Sequence, residues 1–380
     1  MKKSLLALAV LSAVAGAASA QTSVTLFGNI GGAVRHEADA ATDAKKNRMR
    51  DASNYQTNSI GFRGVEDLGN GMNAHFVLDT TFFSGTGQQA LATSLFDRQA
   101  LVGITTPYGT IDMGRVFGPQ FYAAISYDPF DTHYTGIDPI TRNSISASQT
   151  SDNTFSSNSR TDNAINYTNK FGDLTVRAEY AFGEQANYAN GGSTKAVGAV
   201  YQNAMFTLGA AYTKKKLRAD FSSNPALSPA FGNDAYTPAQ TAAGGGFQDA
   251  DYYTAGGSYT LGNLRASVGY AHEKRDLKAS EHKERNLWTG LRYNMTPLVQ
   301  LTGGYFKTNI DSFKGGSSKD LYVLSAAYLL SKRTTLFVEA DHANFRGPEF
   351  PYVALGQFAP SSAAGIAVRN GVMVGVNHNF

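Results

Sequence analysis

The sequence predicts an all-β chain that closes into a transmembrane antiparallel barrel of sixteen strands. Three observations lead there. Many segments alternate apolar and polar residues at strict period two, the strand signature, because successive side chains point to opposite faces. Tight turns and long polar connections follow one another in regular succession. Tyrosines recur near the ends of the apolar faces, where a ring and a hydroxyl together suit the border between lipid and water.

The closing stretch is the most explicit of these segments. Val372, Val374, Val376, His378 and Phe380 share one face, while Met373, Gly375, Asn377 and Asn379 share the other. A barrel has a reason to end flush on an aromatic residue. Its last strand must pair with its first so that no edge stays unpaired in lipid, and the ring then sits at the interface. The same one-sided pattern marks Leu174/Val176/Ala178/Tyr180, Leu264/Ala266/Val268/Tyr270 and Leu287/Thr289/Leu291/Tyr293. The opposite faces carry Arg177, Glu179, Arg265, Trp288 and Arg292. Arginine on the lipid face costs about 2–4 kcal/mol at mid-membrane, so parity directs these side chains inward.

Short turns fall at 67–71, 107–109, 171–173, 202–204, 261–263, 294–297 and 331–333. Long connections are expected near 35–58, 80–94, 117–159, 183–193, 214–250, 273–285, 308–319 and 343–369. Seven turns and eight connections join sixteen strands. With turns on one side and loops on the other, both termini lie on the short-turn, periplasmic side. A ring of sixteen strands is too wide for side chains to fill, so the expected product is a channel.

Residues 1–20 read as an export signal, with Lys2 and Lys3 ahead of an apolar run and Ala18-Ser19-Ala20 at the cleavage point. The barrel domain is then 21–380. No later run has the ~18 apolar residues of a spanning helix. The chain contains no Cys, which excludes a disulfide scaffold and thiol chemistry. Basic residues number 33 against 30 acidic, and losing Lys2 and Lys3 leaves 31 against 30. Such balance argues against a nucleic-acid partner.

No cofactor, metal or catalytic residue is expected. The histidines lack the His-Glu-x-x-His spacing of a helical zinc site, Gly244-Gly245-Gly246 lacks the following Lys of a phosphate loop, and no Gly-x-Ser-x-Gly elbow occurs. Lys214-Lys215-Lys216, at the end of a rising strand, is either a solvated run or a contact for lipopolysaccharide phosphates.

Four stretches together resemble a known family, the trimeric general porins of Gram-negative outer membranes, in their beta-proteobacterial branch. They are Ser23-Val24-Thr25-Leu26-Phe27-Gly28, the hairpin Gly61-Phe62-Arg63-Gly64-Val65-Glu66-Asp67-Leu68-Gly69, the turn Tyr328-Leu329-Leu330-Ser331-Lys332-Arg333-Thr334-Thr335-Leu336-Phe337, and the strand ending in Phe380. The resemblance implies a homotrimer in the cell outer membrane, surrounded by lipid and lipopolysaccharide, that passes ions and small hydrophilic solutes. It also implies that the third long connection, 117–159, folds into the lumen as a constriction loop. Asp128 and Asp131 on that loop would then face Arg98 and Arg160 on the wall. Arg63 projects inward by parity. Ser59 stands where many relatives carry Arg, so at most a modest anion preference is expected. The competing functions are a substrate-specific channel with saturable flux, an outer-membrane hydrolase and a surface adhesin.

Overall fold

The computed structural model describes residues 23–39, 45–51, 55–90, 94–133, 159–184, 190–218, 247–277, 280–312, 315–347 and 366–380. The expected leader and the middle of the third connection, 134–158, lie outside them. Among the described residues no helix is long and apolar enough to cross a membrane.

Among the described residues seventeen strand segments form one closed antiparallel sheet. The first, β1 (Ser23–Asp39), pairs with β17 (Ile366–Asn379) from Asn29↔Asn379 to Asp39↔Arg369. Its other edge pairs below with β3 (Ser59–Gly69) and above with β2 (Lys45–Asp51). β2 and β3 therefore share one place in the wall, and seventeen segments occupy sixteen positions. The seam is sealed to the last residue. Phe380 N–H donates to the Gly28 carbonyl at 3.0 Å and Gly28 N–H returns a bond to the Phe380 carbonyl at 3.2 Å.

The wall continues through β4 (Met72–Thr81), β5 (Gln99–Thr106), β6 (Gly109–Phe117), β7 (Arg160–Phe171), β8 (Leu174–Ala181) and β9 (Thr194–Gln202). Then follow β10 (Phe206–Arg218), β11 (Phe247–Leu261), β12 (Leu264–Leu277) and β13 (Ser280–Asn294). The last before the seam are β14 (Val299–Ser312), β15 (Gly315–Leu329) and β16 (Thr334–Arg346). All seven short turns fall between the expected strands.

Several long connections are shorter than expected. Residues 273–285 are expected to form a long polar connection, yet β12 and β13 pair as far as Leu277↔Ser280. β14 and β15 likewise pair to Ser312↔Gly315. The alternation continues in both hairpins, with polar residues on both faces. Polarity there excludes lipid contact but not strand pairing, so the ladder extends beyond the membrane.

The two faces of the wall divide as parity requires. Val24, Leu26, Val268, Leu291, Leu324, Val338 and Val374 are exposed, whereas Glu273, Asn286, Arg292, Asp341 and Asn377 are buried inside. Lys214 and Lys216 follow the outer parity, and both reach Asp249, at 3.1 and 2.6 Å. Lys215 has the opposite parity.

Candidate functional site: the third loop on the inner wall

The chain leaves β6 at Phe117 and turns at Gly118 into a short helix, α1 (Pro119–Ser126). Proline at the start of a helix supplies a preset φ and lacks only an N–H that would have no helical partner there. No side chain caps the N-terminus of α1. Packing holds it instead, against the inward faces of β9, β10 and β11. Thr213 donates to Gln120 Oε1 at 2.9 Å. Ala123 and Ala124 are fully buried.

Glycines on the inward parity make room for this segment. A methyl group at Gly198 would come within 3.0 Å of Pro119, and one at Gly256 within 2.5 Å of the Tyr127 ring. The same holds at Gly290 for Pro129 and at Gly304 for Phe130, each at 2.5 Å. Beyond α1, Tyr127 stacks on Trp288 with ring centres 5.7 Å apart, and its hydroxyl lies 2.6 Å from Thr254 Oγ1. Phe130 meets Phe306 at 6.0 Å. Tyr55 is sandwiched between His133 and Phe337, at 4.6 and 4.1 Å. Lumen side chains therefore carry an apolar seat as well as charge.

Asp128 shapes the turn that ends the seated segment. Its carboxylate accepts the N–H of Phe130 at 3.0 Å and of Thr132 at 2.7 Å. Those bonds hold Asp131 and Thr132 in the left-handed region, at φ 51 and 67. Burial pushes the Asp128 carboxyl up to about 6, even though both backbone bonds favour its charged form. The turn aims Asp131 at the wall. Arg265 Nη1 donates to it at 2.8 Å and Arg292 Nη1 donates to its other oxygen. Arg265 also reaches the Ser126 carbonyl at 2.7 Å, and Arg292 the Pro129 carbonyl. Burial pushes Asp131 up, but the guanidiniums of Arg292 and Arg265 outweigh it and hold the group below the usual carboxylate range.

The expected basic pair sits at the other end of α1. Arg98 and Arg160 converge on the Phe117 ring, 5.8 and 5.0 Å from its centre. Phe117 in turn stacks on Phe121 at 4.4 Å. Arg98 Nε donates to Asp79 at 2.7 Å. Arg63 lies on the inward face of β3, 5.8 Å from the Phe27 ring, opposite Val77 in the ladder. Ser59 Oγ bonds Asn29 at 3.3 Å.

The residues therefore come together in pairs other than those expected. Asp128 does not face Arg98 and Arg160, since its carboxylate is fully buried and is committed to its own turn. Asp131 is bound by Arg265 and Arg292, and Arg98 is bound by Asp79. Parity alone identified Arg265 and Arg292 as inward residues. Nothing local in the sequence joins them to a carboxylate more than a hundred residues away.

A family model described as "Gram-negative porin" matches residues 7–348. The chain is a Gram-negative porin. It is 31% identical over 391 residues to outer membrane porin protein 32 of Delftia acidovorans, with the whole of both chains covered. Among solved structures, the anion-selective porin from Comamonas acidovorans matches with TM-score 0.73 at 22% identity, covering 95% of this chain and 100% of that one. The trimer form of OmpT from Vibrio cholerae matches with TM-score 0.63 at 12% identity, covering 94% and 99%. At those identities the two structures bear on the fold alone. Membership places this porin in the outer membrane, which its apolar outer belt and sealed seam equip it to occupy.

Proposed function

We propose that this porin conducts ions and small hydrophilic solutes passively, through a water-filled lumen narrowed by the segment Phe117–His133, as a homotrimer and with no catalytic activity. The observation that carries this reading is the anchoring of that segment. Asp131 is clasped by Arg265 and Arg292 on one arc of the wall, while Arg98 and Arg160 gather at its root. Charges around a gap narrower than the ~10 Å screening length at 0.1 M salt act on each passing ion.

Arg63, Arg98 and Arg160 stand on one side and Asp131 on the other, so the narrowing carries more positive than negative charge. Asp79 offsets Arg98, Arg265 and Arg292 offset Asp131, and Ser59 contributes no charge. The result is a modest anion preference that fades as salt rises. The names of the Comamonas and Vibrio proteins support the anion preference and the trimer respectively. Outer-membrane lipid and lipopolysaccharide surround the apolar belt.

Planar-bilayer recording in a salt gradient tests the proposal. Ohmic conductance proportional to salt, with a small anion-directed reversal potential, is the expected result. Conductance that saturates at low concentration of every solute would replace it with a substrate-specific channel.

A further inference from the structure

Below α1, towards the short-turn end, the wall and the seated loop line an open pocket of about 530 Å³. Its roof is Tyr122 and Ser126 of the loop, its back wall Arg177 and Thr175 of β8, and its floor Gln202 and Asn203 at the turn between β9 and β10. The turn residues Gln202, Asn203 and Ala204 in its lining place it at the short-turn end, and neither Arg98 nor Arg160 borders it.

Arg177 stands apart from the arginines that hold the seated loop and its root: Arg98 has Asp79, and Arg265 and Arg292 share Asp131. Among the described residues Arg177 is paired with no carboxylate. Its guanidinium carbon lies 4.0 Å from the centre of the Tyr122 ring. Stacking occupies the flat face of a guanidinium and leaves its in-plane N–H donors free, in the fork that fits two oxygens of one anion. The ring also fixes the plane, so little side-chain freedom is lost when an anion arrives. Among the described residues the one carboxylate lining the pocket is Asp131, already held by two arginines, so these surroundings keep a positive balance.

We infer that this pocket is a binding station for small hydroxylated carboxylates. The carboxylate lies on the Arg177 fork, and the hydroxyls are met by Thr175 and Gln202. A volume of this size is within the range of small-molecule sites, about 300–1,000 Å³. The polar lining suits a sugar acid better than an apolar acid. The inference adds a saturable step to the diffusion reading and shares with it only the open lumen.

The probe is potassium gluconate, added to either side of the reconstituted porin carrying a potassium chloride current. Glucose, which has the hydroxyls without the carboxylate, is the control. Gluconate should interrupt the chloride current with a saturating concentration dependence and a faster association from the short-turn side, whereas glucose should not. Arg177→Gln should weaken the interruption by roughly ten-fold or more, the usual loss when a charged hydrogen bond is removed. Thr175→Asp keeps the guanidinium but places a carboxylate two residues away on the same strand face, and it should weaken the interruption similarly. Equal interruption in wild type and both variants would overturn the assignment. So would a normally conducting wild type that gluconate leaves undisturbed. Absence of chloride conductance in the wild type would instead strike the diffusion reading.

Discussion

Arg265 Nη1 lies 2.8 Å from Asp131 Oδ1, joining the third loop to a strand 134 residues further along the chain. Arg292 completes the clasp from the neighbouring strand. The carboxylate thus anchors the loop and also cancels charge that two guanidiniums would otherwise present to the pore.

Asp131→Asn should release that charge. The reversal potential in a salt gradient should move towards anion selectivity, and the open-channel current should become noisier as the loop loosens. Asp128→Asn should leave the reversal potential almost where it is, because that carboxylate is directed into its own turn. A larger shift from Asp128→Asn than from Asp131→Asn would reverse the assigned roles.

Trp288 is the single tryptophan of the chain, and it lies beneath Tyr127. Its emission therefore reports whether the loop is seated. Tyr127→Phe keeps the stacking and loses the bond to Thr254, at a cost of about 1 kcal/mol. Its spectrum should match the wild type, with a slightly lower melting temperature. Gly304→Ala sets a methyl group against the rings of Phe130 and Phe306. It should push the loop outward and shift Trp288 emission to the red. An unshifted spectrum in folded Gly304→Ala would show that the glycine track does not govern seating.

The alternation of Leu264 to Tyr270 and of Val372 to Phe380 could be read directly, because lipid on one side and lumen on the other impose period two. The inward direction of Arg177, Arg265 and Arg292 followed from the same rule. Parity says which way a side chain points, however, and not what it meets across a lumen. The partnerships of Asp131 with Arg265 and of Tyr55 with Phe337 depend on where a loop comes to rest after folding inward. The continuation of β12 and β13 through 273–285 was hidden for a different reason. Charged residues can lie in a paired ladder as readily as in a loop once the strands leave the bilayer.

Two titrating groups in the seated loop oppose each other. Burial pushes the Asp128 carboxyl from 3.8 up to about 6. A group with a raised value binds its proton more readily in the seated state. Its contribution is full below pH 3.8 and is lost as pH rises through about 6. Burial pushes the His133 ring from 6.5 down to about 4. Its contribution is full above pH 6.5 and is lost as pH falls towards about 4.

In the wild type the two slopes largely cancel between pH 4 and 6. Hydrogen exchange of the α1 amides, corrected for intrinsic rate, should therefore be nearly flat across that window. Asp128→Asn leaves His133 in control, so protection should fall on acidification. His133→Gln leaves Asp128 in control, so protection should fall as pH rises from 4 to 6. Slopes of the same sign in the two variants would refute the opposition.

The last prediction concerns the basic pair. Arg98 is bonded to Asp79 at 2.7 Å, and the Asp79 side chain is only 5% exposed. Replacing Arg98 by Ser therefore does more than remove a positive charge, because it leaves a buried carboxylate unpaired beside the lumen. The local balance moves by one unit towards negative, and the reversal potential should move towards cation selectivity. Asp79→Asn should move it the other way, since Arg98 then stands alone. The double variant removes one charge of each sign and leaves neither group stranded, so it should lie near the wild type. Arg160 stacks on the same Phe117 ring. Arg160→Ser should move the reversal potential in the same direction as Arg98→Ser, because the charges of both arginines act on Asp79. Coupling between Arg98 and Asp79 of at least ~1 kcal/mol in heat stability would match a paired, largely buried site, because removing one partner strands the other. If the two single variants shift the reversal potential in the same direction, or the double variant departs from wild type as far as either single one, Arg98 and Asp79 do not act as a pair on passing ions.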